Sequence, residues 1–170
     1  MLSKFQLPIV LLVFALAVSP FLSRAQSAAT ATKAPTPEAI AAAKKASTEV
    51  FGKLAAGKTE EVAAWISDEI GYTRDAASKI TLKNDFKSKL DLIMTGPPVT
   101  PYGKISGYDL VSECYLPNSN RFFRLIYISY HEGAPLMWEF RYYVKQDGKI
   151  ALNYVQWSEG NPFELIEKTK

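Results

Sequence analysis

The spacing of apolar residues changes once along this chain, at Gly96-Pro97-Pro98, and this change limits the fold more than any other feature. Before the proline pair, apolar residues recur about every 3.6 residues, as on one side of a helix. After it they alternate with polar residues, as in a half-buried strand. Helices followed by successive strands, with no strand–helix–strand crossover, predict an α+β fold. In it, N-terminal helices pack on a curved antiparallel meander sheet of four or more strands.

Three helices are predicted in the first part of the chain. Thr36-Pro37-Glu38 can start the first, because threonine accepts from free N–H groups, proline fits the first turn and glutamate favours the positive helix end. Gly57 ends this helix, since glycine readily adopts the left-handed conformation at a helix end. A second helix starts at Thr59, and the apolar spacing predicts a third over about residues 84–94.

Four strands are predicted in the second part. They are separated by the sequence PNSN, by a Gly133-Ala134 turn and by Asp147-Gly148, a pair that is typical of a two-residue hairpin turn. The predicted strands cover residues 104–116, 121–132, 135–146 and 149–158.

The turns also predict a register, because turn geometry fixes which residues face each other across a hairpin. The predicted pairs are Leu110 with Tyr127, Ser112 with Leu125, Cys114 with Phe123, Tyr127 with Phe140, Ile128 with Glu139, Trp138 with Ser129 and with Trp157, Phe140 with Val155, and Tyr142 with Asn153. In this register the helix-facing side of the sheet carries no full charge. Asp109, Glu113 and Glu139 fall on the opposite, half-solvated side, together with Arg124 and Arg141.

The helix-facing side combines large rings with hydroxyl and amide groups, and this mixture indicates either a ligand pocket or a filled core. Buried polar groups cost about 1–3 kcal/mol each when they lack a hydrogen-bond partner, so several on one wall favour a ligand or water that bonds them. In the alternative, the rings fill the core and the polar groups bond one another. The candidate pocket residues are Tyr127, Ser129, Trp138, Phe140, Tyr142, Asn153 and Trp157.

The N-terminus has the layout of a secretory signal peptide. Lys4 precedes an apolar run, and Ser23 and Ala25 supply the small residues before a cut after Ala25. Cleavage there removes two cations and leaves 18 basic and 17 acidic side chains. We therefore expect a secreted or periplasmic protein with no stable membrane anchor after cleavage. The expected parts are a signal peptide, a disordered spacer, one α+β domain and a C-terminal tail, over residues 1–25, 26–35, 36–160 and 161–170.

The composition disfavours several classes of function. The nearly neutral mature chain has no basic stripe for nucleic acid. His131 and Cys114, the only histidine and cysteine, do not make a metal site of three or four ligands. His131 could act as a general base, but no positioned partner can be named for it. We therefore expect no cofactor, no metal, no nucleic-acid partner and no assigned catalytic residue.

Three segments resemble a known superfamily: the helix AAAKKASTEVFGKLAAG, the strand at residues 123–127 and the hairpin WEFRYYVKQDGKIALNYVQW. The pattern is similar to the nuclear-transport-factor-two-like superfamily, also called cystatin-like or SnoaL-like, and to exported bacterial domains of unknown function within it. The resemblance implies a cone-shaped fold whose sheet curls around a pocket, with dimers often formed through the outer face of the sheet. Its members include isomerases, dehydratases, cyclases and epoxide hydrolases as well as non-catalytic binding domains.

The sequence therefore favours an exported, non-catalytic domain that binds a small, largely apolar ligand in the cone between helices and sheet. An alternative is a homodimer or assembly module. An enzyme of the isomerase or dehydratase kind would need a carboxylate that points inward, for example Asp68, Asp75 or Asp91. For the dimer, the outer-face residues are Val111, Ile126, Ile128, Tyr143, Leu152 and Tyr154.

Overall fold

The computed structural model describes residues 34–159. Three helices precede a four-stranded antiparallel sheet of strand order β1-β2-β3-β4 and pack against it, which confirms the predicted α+β class. The predicted signal peptide, most of the spacer and the C-terminal tail lie outside the described residues. The elements are α1 (Pro37–Ala55), α2 (Thr59–Ile70), α3 (Ala76–Thr95), β1 (Ile105–Tyr115), β2 (Phe122–His131), β3 (Pro135–Val144) and β4 (Ile150–Ser158).

Side-chain caps mark the starts of α1 and α3, whereas α2 starts without one. The Thr36 side chain accepts from the Ala39 N–H at 3.3 Å, and Thr59 begins α2, both as predicted. Helix α3, however, begins at Ala76, well before the predicted start at about residue 84, because the Asp75 carboxylate accepts from the Ser78 N–H at 2.9 Å. Its first turns leave Ile80 exposed, so no apolar period marks them.

The sheet register agrees with the prediction at some pairs and differs at others. Trp138 pairs with Trp157 and Leu110 with Tyr127, as predicted. Between β2 and β3 the prediction was wrong by two residues: Tyr127 pairs with Trp138, not Phe140, because four residues, 131–134, rather than two lie between the last pair, Tyr130 and Pro135. A shift of two leaves every side chain on its original face.

The predicted register missed three β-bulges, and two of them move candidate residues to the other face of the sheet; the third lies at Ser106 in β1. An extra residue in β1, Val111, puts Glu113 opposite Leu125 on the helix-facing side, where Lys44 of α1 approaches it at 2.6 Å. The same bulge turns Ser112 and Cys114 to the other side, opposite Ile126 and Arg124. The prediction that Glu113 lies on the outer face was therefore wrong.

The second bulge lies in β4. Tyr142 pairs with Leu152 and Arg141 with Tyr154, so Asn153 is the extra residue and is exposed. The predicted pair of Tyr142 with Asn153 was wrong. Leu152 joins the core and cannot contribute to the outer surface assigned to it from the sequence.

The helix-facing side of the sheet is called the inner face below, and the opposite side the outer face. Phe51 of α1 is fully buried and lies at the centre of the contact between helices and inner face. Across residues 34–159, no helix combines the length and the apolar character that crossing a lipid bilayer requires.

Candidate functional site

The rings proposed for the pocket meet on the inner face. Phe51 lies 5.3 Å from Tyr127, 5.5 Å from Trp138 and 6.0 Å from Phe140, measured between ring centroids. Tyr142 stacks on Phe123 at 5.6 Å, and all these rings are buried. Offset and edge-to-face contacts at such distances are those of an aromatic core. Four of the predicted pocket residues are thus brought together by contacts with one another.

The polar groups of the inner face bond one another. The Tyr142 and Ser47 hydroxyls lie 2.7 Å apart and join β3 to α1. The Ser129 hydroxyl accepts from Trp138 Nε1 at 2.7 Å and lies 2.8 Å from His131 Nε2. Among the described residues, every buried side-chain nitrogen or oxygen has a hydrogen-bond partner. These contacts favour the filled-core alternative, and the cone pocket stays a prediction.

Of the remaining two candidates, Trp157 packs at the edge of this ring cluster and Asn153 lies outside it. Trp157 is half-buried, with its ring 5.0 Å from Trp138 and 6.2 Å from Phe86 of α3. Asn153 is exposed in the β4 bulge. Neither residue shares the hydrogen bonds that join Tyr142 to Ser47 or Ser129 to Trp138.

His131 is buried at the end of β2 rather than exposed beside a turn. Its Nδ1 lies 2.7 Å from the Gly103 carbonyl oxygen, and its ring packs edge-on to Tyr102 at 5.6 Å. Burial lowers the pKa of His131, and the bond to Gly103 opposes this only in part. With Nδ1–H donating to Gly103 and Nε2 accepting from Ser129, the neutral imidazole is fully bonded.

Two of the three carboxylates considered for catalysis, Asp75 and Asp91, have structural partners. Asp75 caps α3, and Asp91 accepts from Thr59 and Lys87, whose hydrogen bonds lower its pKa. Glu69, from the end of α2, accepts from the Leu152 N–H at 3.2 Å in the β4 bulge. Within residues 34–159, no group of three or more His, Cys, Asp or Glu side chains is placed to hold a metal ion.

The outer face holds an ionic cluster that the sequence reading placed in solvent. Glu139, on the central strand β3, is only 4% exposed. Its Oε1 accepts from Arg141 Nε at 2.8 Å and from Arg124 Nη1 at 3.4 Å, while its Oε2 accepts from Gln156 Nε2 at 2.8 Å. Burial raises the pKa of Glu139, but the hydrogen bond and charge of Arg141, with Arg124 and Gln156, more than offset this and hold it below its ordinary value.

This cluster was missed because the predicted partners were wrong. Glu139 was paired with Ile128, whereas the structure pairs it with Ile126 and pairs Arg124 directly with Arg141. The usable signal was the position of Glu139 and Arg141 two residues apart on a central strand, where both lie on one face. A central strand is flanked on both sides, so the long neighbouring side chains cover a short carboxylate.

An open groove of about 380 Å³ lies beside this cluster, at the end of the sheet where β1 turns into β2. Its walls are mostly aromatic and aliphatic, with two guanidinium groups and one thiol. Cys114 belongs to this lining because the β1 bulge turns it outward. The lining residues are Cys114, Tyr115, Leu116, Pro117, Phe122, Phe123, Arg124 and Arg141.

A scan against protein-family models found no matching family, and searches of curated proteins and of solved structures found no match either. The resemblance to the nuclear-transport-factor-two-like superfamily therefore stays a prediction from the sequence. The size, walls and charge of the outer-face groove are therefore the properties from which a function can be proposed.

Proposed function

We propose that this protein is a non-catalytic binding domain that takes a small, largely apolar ligand in the outer-face groove. The observation that carries the proposal is an open cavity with a mostly apolar wall and a few polar groups at one side. Binding sites for small molecules have this composition. The inner-face rings, which the sequence favoured for the same role, make their contacts with one another and with α1.

The size of the groove supports a small ligand. Its volume of about 380 Å³ falls in the range of roughly 300–1,000 Å³ that is usual for ligand pockets. A cavity of about 150 Å³ holds one benzene molecule. By that measure the groove accommodates about 12–15 non-hydrogen atoms.

The groove also offers apolar surface whose burial favours binding. Leu116 is 56% exposed and Phe122 is 37% exposed, although both are large apolar side chains. Covering apolar surface contributes about 25 cal/mol per Å², or about 2–3 kcal/mol for each 100 Å². A ligand with an apolar body would therefore gain most of its affinity from these walls.

Protection of Cys114 tests where such a ligand binds. Cys114 is the only cysteine of the chain, so its alkylation by iodoacetamide gives a single mass shift. We expect decan-1-ol to slow this alkylation, because the alcohol would occupy the groove that Cys114 lines. Leu116→Ser should weaken decan-1-ol binding roughly tenfold in calorimetry, since it removes an apolar wall.

A matched variant on the inner face separates the two possible sites. Tyr142→Phe removes only a hydroxyl that lies 2.7 Å from the Ser47 hydroxyl and keeps the ring that stacks on Phe123, so it should leave decan-1-ol binding unchanged. If Tyr142→Phe abolished binding while Leu116→Ser did not, the ligand would lie in the cone and the groove proposal would be wrong. Alkylation at the same rate with and without bound decan-1-ol would contradict it equally.

A homodimer through the outer face is a second candidate function. Around Glu139 this face carries the half-buried side chains of Ile128 and Tyr143, and the rings of Tyr130 and Tyr154 are 42% and 37% exposed. Contiguous apolar surface of this kind favours association between proteins. Sedimentation of the wild type and of Ile128→Asp tests it: the wild type should sediment as a dimer and the variant as a folded monomer, and a monomeric wild type would contradict it.

A further inference from the structure

The two guanidinium groups at the groove are held in place by the protein. Arg141 donates from Nε to Glu139 Oε1 at 2.8 Å, and its guanidinium carbon lies 4.5 Å above the centre of the Tyr154 ring. The Tyr154 hydroxyl in turn donates to Gln156 Oε1 at 2.7 Å, and the Gln156 amide donates to Glu139. Glu139 and Tyr154 thus fix the plane of Arg141 from two sides.

Both arginines keep donors for a ligand. Within residues 34–159, Arg124 and Arg141 each use one N–H group on Glu139, whereas a guanidinium carries five N–H groups. The Arg141 side chain is 47% exposed and that of Arg124 is 24% exposed, and both residues line the groove. A planar fork of this kind matches the two oxygens of a carboxylate.

The charges of the cluster do not cancel. Arg124 and Arg141 carry two positive charges and Glu139 carries one negative charge, while the other lining residues of the groove are uncharged. The site therefore keeps one excess positive charge beside an apolar wall. A ligand that neutralises it carries one negative charge at one end of an apolar body.

We propose that the ligand of the groove is a monoanionic amphiphile, specifically a free carboxylate of about 12–15 non-hydrogen atoms. This inference rests on the proposed function and names its ligand class. The carboxylate oxygens accept from the guanidinium groups of Arg124 and Arg141, and the hydrocarbon body lies along Leu116 and Phe122. Charge-assisted bonds to a carboxylate are about twice as strong as neutral ones, so the head group adds affinity and fixes direction.

A matched series of ligands tests the inference on the wild-type protein. Decanoate, decan-1-ol and decyltrimethylammonium share one hydrocarbon chain and differ in the charge of the head group. We expect calorimetry to give decanoate an affinity about tenfold above that of decan-1-ol, and the cation the weakest binding. Equal affinities for decanoate and decan-1-ol would overturn the carboxylate inference and leave the proposed function standing. No binding by either would overturn both.

Arginine variants locate the charge effect. Arg141→Gln should lower decanoate affinity about tenfold and leave decan-1-ol affinity unchanged, because the apolar wall remains. Arg141→Lys keeps the charge but not the planar guanidinium fork, so its decanoate affinity should lie between those of the wild type and Arg141→Gln. Arg121→Gln is the matched control. Arg121 is also a cation and directly precedes β2, but its guanidinium carbon lies 4.9 Å from the centre of the Tyr143 ring, and Arg121 does not line the groove. Equal loss in Arg121→Gln and Arg141→Gln would contradict the proposed contact, since only net charge would then matter.

Discussion

A single residue, Glu139, organises the outer face. Its carboxylate is nearly inaccessible to water, and each of its oxygens accepts a hydrogen bond from a neighbouring strand or from its own. A buried carboxylate is costly unless it is paired and bonded, and here Arg124, Arg141 and Gln156 provide both. Because the same arginines line the groove, Glu139 links the stability of the sheet to the geometry of the proposed site.

Replacing Glu139 by glutamine should destabilise the protein in a pH-dependent way. The amide keeps one acceptor but loses the charge that bonds two guanidinium groups, so we expect a loss of about 1.5–3 kcal/mol at pH 7. The folded pKa of Glu139 is lowered, so its contribution is present above the unfolded value of about 4.5 and disappears as pH falls through the folded value. Urea unfolding of the wild type and the variant at pH 7 and at pH 3.5 measures both the loss of unfolding free energy and its decrease at low pH.

The control for Glu139→Gln is Glu49→Gln. Glu49 is exposed on α1, and the variant should have nearly wild-type stability at both pH values. If Glu139→Gln were as stable as the wild type at pH 7, or if its deficit did not shrink at low pH, the carboxylate would not be the charged centre of the cluster.

At the scale of elements, the two bulges decide which side chains reach which face. Next to the extra residue of the β4 bulge, Glu69 of α2 accepts from the Leu152 N–H. The β1 bulge turns Cys114 into the groove and Glu113 toward Lys44. Both bulges therefore bring the sheet into contact with a helix: Glu69 of α2 bonds the backbone at the β4 bulge, and Glu113 beside the β1 bulge pairs with Lys44 of α1.

Removing the Glu69 acceptor should loosen the β4 bulge. In Glu69→Ala the Leu152 N–H loses its partner, so we expect about 1 kcal/mol less stability and faster hydrogen exchange at that amide. Glu69→Gln keeps an acceptor oxygen and should lose much less, which makes it the matched control. Unchanged exchange at the Leu152 amide in Glu69→Ala would show that the bulge does not depend on this contact.

The same bulges explain how far the sequence could predict the structure. The helix starts at Thr36 and Thr59 were predicted from local sequence and were confirmed. A hairpin does form at Asp147-Gly148, but the predicted two-residue turn was wrong: the Lys145 N–H donates to the Lys149 carbonyl, which leaves residues 146–148 in the turn. A bulge adds one residue to a strand without a sequence mark of its own, so it could not be predicted from alternation. The predicted register put Cys114 on the wrong face, and with it the groove was missed. The ring cluster was predicted as a set, although the sequence left open whether it is a pocket or a core.

At the scale of the whole molecule, the helical layer and the sheet meet through a core that includes hydrogen bonds. Phe51 packs against rings from three strands, and the bond between Ser47 and Tyr142 crosses the same interface at 2.7 Å between residues far apart in sequence. Burial raises the pKa of Tyr142, as expected for a phenol in an apolar setting. A hydrogen bond in such surroundings matters chiefly because either partner left alone is an unsatisfied buried group.

A double-mutant cycle on this bond tests whether the inner face is a packed core. Ser47→Ala removes the partner of the Tyr142 hydroxyl, and Tyr142→Phe removes one of the two tyrosine hydroxyls that bond Ser47, so each should cost about 1–3 kcal/mol of unfolding free energy. The double variant removes both polar groups and should cost less than the sum of the single losses, because neither partner is then left unsatisfied. Urea unfolding of the four proteins gives the coupling. Additive losses would mean that water or a ligand bonds each hydroxyl independently, and the site would then have to be sought in the cone rather than in the outer groove.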